Sequence, residues 1–100
     1  MKLTISDDAS KWFAEELGLQ KGDGLKFFGK GYGTSTIQPG FSLGMLVDNN
    51  PDRPVAETEK DGIKYYVNYG DAWYFFGYDL EVTLNHETNE PQYNYIKQED

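Results

Sequence analysis

The sequence has no cysteine. That excludes disulfides, thiolate catalysis, cysteine-zinc sites and cysteine-ligated iron–sulfur clusters. It has one histidine, His86, so a base beside a nucleophile is hard to assemble. Positive charge is scarce: nine Lys and Arg stand against seventeen Asp and Glu, a net charge of −8. A phosphate backbone would be repelled, which argues against nucleic acid and points to solubility and to basic partners. No apolar run approaches the roughly 20 residues of a membrane span. After Met1-Lys2 the chain turns polar at Ser6-Asp7-Asp8, unlike a signal peptide. The expectation is a soluble, cytoplasmic, acidic protein without membrane partners.

What is present is aromatic: 16% of 100 residues are Phe, Trp or Tyr. Such rings bury large areas, so one small domain can build a core without staples. The chain is expected to be a single domain over residues 1–100, with the core in 3–95 and a frayed tail at 96–100.

One helical pattern is visible, "DDASKWFAEEL". Ser6 or Asp7 can cap its first turn, and Asp7 and Asp8 suit the positive end of its dipole. Ala9, Trp12, Phe13 and Leu17 fall on one stripe, and Gly18 is a natural left-handed stop. Strand patterns follow in "KLTIS", "LKFFGK", "FSLGMLV", "VAETE", "IKYYV", "DLEVTLN" and "QYNYI". Pro39-Gly40 suits a type II turn and Lys60-Asp61-Gly62 a hairpin. "YGDAWYFFGYD" is too short for a long helix and reads as a single helical turn. The fold class is mainly β, α+β: about seven short strands, one N-terminal helix and a short second helical turn. Adjacent Tyr65 and Tyr66 should face opposite sides of their strand, which would leave at least one of them exposed or at an interface.

The stretch "GYGTSTIQPG" (31–40) is glycine and hydroxyl residues after an apolar strand. Gly29, Gly31 and Gly33 give GxGxG rather than GxGxxG, and no helix follows to face a pyrophosphate. The pattern favours a connection between strands over a phosphate cradle. Ser35 lacks a base and an elbow motif, so local bonding to backbone is its expected role. His86 lies in a polar turn. Glu57, Glu59, Asp61, Glu81 and Glu87 have no calcium-loop spacing, so no dedicated metal site is expected. No acid, base and nucleophile constellation is visible, and the protein is not expected to be an enzyme.

The order "LTISDDASKWFAEEL", "GDGLKFFGKG", a loop, "FSLGMLVD", "DGIKYYV" and "DAWYFFGYDLEV" resembles the HesB/IscA-like family of A-type iron–sulfur carriers. The likeness is greatest to its short, cysteine-poor branch in low-GC Gram-positive bacteria. The resemblance implies a compact HesB-like β-sandwich or barrel. In cluster-carrying members the loop supplies one cysteine, and a C-terminal Cys-Gly-Cys supplies two more. Here the loop position falls at about Thr34 or Ser35, and "YNYIKQED" has no counterpart of the second motif. No iron–sulfur cofactor is therefore expected.

Two functional readings stay open. One is a non-catalytic binding or adaptor protein that meets a protein partner or small ligand. Its surface would centre on Tyr32, Gly33, Thr34, Ser35, Thr36 and Gln38, walled by Trp73 and Tyr74. The other is an iron-binding donor using carboxylates, Tyr and His86. A homodimer is compatible with either.

Overall fold

The computed structural model describes residues 1–99. Asp100, the last residue of the expected tail, lies outside them. Two sheets and one helix contribute to a single hydrophobic core. The first carries strands β1 (Leu3–Ile5), β6 (Tyr78–Asn85) and β7 (Glu90–Lys97), in the order β1-β6-β7. The second carries β2 (Gly24–Gly31), β3 (Phe41–Val47), β4 (Pro54–Lys60) and β5 (Ile63–Asn68), in the order β3-β2-β5-β4. Helix α1 spans Asp7–Leu17, and a 3-10 helix spans Tyr69–Phe75. Mainly-β α+β architecture follows directly, and no helix among the described residues is long and apolar enough to cross a membrane.

Local chemistry explains where α1 begins and ends. Ser6 Oγ accepts the Ala9 N–H at 3.2 Å, and Gly18 adopts the left-handed conformation at φ 63°. The buried stripe is Ala9, Ser10 and Phe13; Leu17 is exposed, contrary to its helical spacing. The chain turns away at Gly18, and Leu19 enters the core in its place. The Ser10 hydroxyl is hydrogen-bonded to that of Tyr65 at 2.8 Å, which satisfies both buried groups. Trp12 Nε1 donates to the Asn89 carbonyl at 2.7 Å, fastening α1 to the β6–β7 turn.

Two parallel pairings tie distant segments together. Leu3 lies beside Leu80 and Ile5 beside Val82. Leu25 lies beside Tyr65. Between the sheets, Phe13, Phe27, Tyr65 and Tyr93 form a ring cluster with centroids 5.9 to 6.5 Å apart. Asp61 and Gly62 both take positive φ, 55° and 78°, as a tight hairpin turn between Lys60 and Ile63 requires.

Tyr65 and Tyr66 are both fully buried, and this corrects the expectation from strand alternation. They do face opposite sides. Tyr65 enters the main core, while Tyr66 lies on the outer face, over Gly24 and beneath Asn49 and Pro51. Its hydroxyl donates to the Asp48 carbonyl at 2.6 Å. A polar loop that looked like plain solvent-facing chain is a lid over one aromatic ring. The chain end is also more engaged than its composition implies. Ile96 and Lys97 belong to β7, and the Gln98 N–H donates to the Gly77 carbonyl at 2.9 Å.

Burial holds the Tyr66 and Tyr93 phenols up to about 12, and it raises those of Tyr65 and Tyr95 as well. Each phenol ionises more easily in the unfolded chain than in the fold. Their stabilising contribution is whole below the ordinary phenol value of 10.0 and is lost as pH rises through the folded values. The acid side has the opposite sign. Asp8 is lowered by the Ser6 hydroxyl and then by His86; Asp79 is lowered by the Gln98 amide and the Lys2 N–H. Their contribution is present above the ordinary 3.8 and lost below it. Thermal midpoints should therefore be level from about pH 5 to 9 and fall from about pH 10 upward. A midpoint unchanged at pH 11.5 would contradict the burial of these phenols.

Candidate functional site

The loop 32–40 joins the end of β2 to β3, and its shape is fixed from within. Tyr32 and Gly33 take positive φ, 74° and 100°. The Ser42 hydroxyl donates to the Tyr32 carbonyl at 2.9 Å, and a Cβ on Gly33 would lie 2.8 Å from that hydroxyl. Ser35 Oγ donates to the Gln38 carbonyl and accepts the Gln38 N–H, each at 3.1 Å. The Ser35 hydroxyl is thus spent on closing the loop. The Phe41 N–H reaches the Gln38 carbonyl at 3.1 Å across Pro39-Gly40, with Gly40 at φ 84°.

The loop leans on the 3-10 helix. Gln38 Nε2 donates to the Trp73 carbonyl at 3.3 Å, and the Trp73 ring meets Phe41 edge-on at 5.0 Å. Ile37 packs onto the core beside them. The structure therefore brings Gln38 and Trp73 together, with Ser35 behind Gln38. Tyr32, Gly33, Thr34 and Thr36 stand out in solvent, Tyr32 at 92% exposure. Tyr74 is elsewhere: it is fully buried, with its hydroxyl bonded to that of Tyr95 at 2.9 Å. Its ring lies flat against Gly29, where a Cβ would fall 2.6 Å from Cγ. The glycine of the apparent GxGxG that mattered is a seat for Tyr74.

Exposed rings extend along the 3-10 helix. Tyr69, Trp73 and Phe76 are all exposed, Phe76 at 84%. Arg53 lies over the Tyr69 ring at 5.4 Å. Beside Phe76 runs an open groove of about 490 Å³, lined by Met1, Val55, Ala72, Phe75 and Tyr78. Phe76 is not among the residues on which the expected binding surface centres. The signal was the doublet Phe75-Phe76 at the end of the 3-10 helix, where Phe75 is buried and Phe76 exposed before the chain turns at Gly77, φ 86°.

Ionisable groups do not gather here. Asp71, beside these aromatics, is raised by burial, and Lys26 offsets it in part. His86 lies at the far turn, where Nε2 sits 2.8 Å from Asp8 Oδ2. Among the described residues no three of His, Asp and Glu converge as metal ligands would. The chemistry this surface offers is apolar contact, π-faces and loop backbone, all suited to holding a partner.

No family model matches the sequence. In fold the chain is similar to Escherichia coli SufA, a protein involved in biosynthesis of iron–sulfur clusters. The TM-score is 0.60 at 20% identity, covering 93% of this chain and 79% of SufA. In sequence it is 34% identical over 95 residues to an uncharacterized protein of Staphylococcus saprophyticus, covering 93% of this chain and 97% of that one. It is 40% identical over 95 residues to a Bacillus subtilis protein named pyruvate dehydrogenase inhibitor, covering 95% of this chain and 99% of the relative. Identity at that level, end to end in both proteins, places the SufA-like fold described above in a definite lineage: the chain belongs to the family of the Bacillus subtilis pyruvate dehydrogenase inhibitor.

Proposed function

We propose that the protein is a non-catalytic inhibitor that acts by binding pyruvate dehydrogenase. The observation that carries this reading is the 40% identity, over nearly the whole of both chains, to the Bacillus subtilis inhibitor. The site chemistry supports it: exposed rings and a shaped loop suit a protein partner. The SufA-like fold is, in this reading, a scaffold shared with iron–sulfur biosynthesis proteins and turned to protein contact. The donor set does not fit a cluster. The chain has no thiol, the expected loop position at about Thr34 or Ser35 offers only hydroxyls, and that of Ser35 is bonded to the Gln38 backbone both as donor and as acceptor.

The docking surface centres on Tyr32, Gln38, Trp73 and Phe76, with Gly33, Thr34, Ser35 and Thr36 shaping the loop. Truncating Phe76 to Ala should weaken inhibition at least about tenfold, the loss of a hot-spot ring. Its thermal midpoint should stay within a degree or two, because an exposed ring contributes little to folding. Titration of wild type and variant into the Bacillus subtilis complex checks the first, and thermal unfolding of the two chains checks the second. Equal potency of wild type, Phe76→Ala and Trp73→Ala would place the contact elsewhere.

A further inference from the structure

We infer that the outer edge of β3 is a self-pairing surface, and that two copies of this chain join there by antiparallel β3–β3 addition. Among the described residues, strand β3 is the end strand of its sheet and pairs only with β2. The Asp48 N–H donates to the Gly24 carbonyl at 3.0 Å, so Gly24 and Asp48 are a hydrogen-bonded pair. Antiparallel bonding alternates along the ladder, so Val47, Met45 and Leu43 turn their N–H and C=O groups away from β2. Among the described residues no other backbone or side-chain group takes those positions up.

Exposed edges are normally blunted by charge, proline or a bulge. This one has none of them. Its register with β2 is unbroken from Leu25–Val47 to Gly31–Phe41. From Gly31 to Val47 no side chain carries a charge, in a chain of net −8. Two such acidic molecules repel least where both are neutral, which favours a second copy along this stretch.

The strand is also complementary to itself. With the two-fold axis at Met45, Met45 faces Met45 of the second copy, and Leu43 faces its Val47. All three pairs would be hydrogen-bonded. On the opposite face, Leu46 falls across from Gly44 of the second copy. Leu46 is 54% exposed, and Gly44 is covered by the Phe28 ring, 2.8 Å from where a Cβ would lie, so Leu46 would meet that ring. Asp48 falls across from Ser42, so no like charges are opposed.

Because the chain has no cysteine, single cysteines report the register. Wild type at about 100 μM, ten times a Kd of about 10 μM, should show close to twice the 11.4 kDa chain mass by light scattering. Met45→Cys should oxidise to a disulfide-linked dimer, since facing Cα atoms lie about 5.5 Å apart. Val47→Cys, across from Leu43, should not. Leu46→Lys should return the mass to one chain while keeping the wild-type circular dichroism spectrum. A single-chain mass for wild type would overturn the inference, leaving the edge for a strand of another protein. A dimer indifferent to Leu46→Lys, or equal cross-linking of both cysteine variants, would overturn it too.

Discussion

Replacing Phe13 by Ala should destabilise the fold by about 4 kcal/mol, in the range for emptying a buried aromatic site. Phe13 is fully buried and is the one α1 ring at the centre of the inter-sheet cluster. It meets Trp12 at 5.4 Å, Tyr65 at 5.9 Å and Phe27 at 6.2 Å. Two of those neighbours are held by their own bonds, Tyr65 through Ser10 and Trp12 through Asn89. They cannot collapse into the gap without giving those bonds up, so the cavity cost adds to the lost transfer energy. Urea unfolding measures the effect, and a loss below about 1 kcal/mol would mean that α1 is not seated on this cluster.

Gly29→Ala should cost about 3 kcal/mol, the top of the range for overpacking. One added methyl would strike the Tyr74 ring and come within 2.7 Å of the Tyr74 Cβ. The ring cannot swing aside. It is fully buried, bonded to Tyr95 through its hydroxyl, and set edge-on to Phe75 at 4.9 Å. Its root sits in the 3-10 helix, so relief requires moving the element that carries Trp73. The variant should lose stability and inhibition together, whereas Phe76→Ala should lose inhibition alone. Tyr74→Ala in the Gly29→Ala background tests the cause. Its cost should fall well short of the sum of the two single changes, because the clash is gone.

Much of the fold is written locally. The start and stop of α1 are carried by Ser6 and Gly18, the β4–β5 turn by Asp61-Gly62, and the strands by their apolar alternation. What was not legible depends on approach across long sequence separations. Tyr66 is buried because the loop 48–51 folds over it and Gly24 leaves it room. Nothing in "IKYYV" announces either. Tyr74 belongs to the core because the 3-10 helix returns onto Gly29, and a glycine in a strand says only that something comes close. The parallel pairings of β1 with β6 and β2 with β5 leave no local pattern at all. For the surface around the loop, Gln38 and Trp73 are brought together in space, while Phe76 needed the turn at Gly77 to be seen.

The central claim is that this chain restrains pyruvate dehydrogenase by binding it. The most direct measurement titrates the purified protein into the purified Bacillus subtilis pyruvate dehydrogenase complex and follows pyruvate-dependent NADH formation. The rate should fall saturably as the chain is added, with no iron or sulfide supplied, and the chain should sediment with the complex. An unchanged rate at a large molar excess, with the chain left free in solution, would contradict the account.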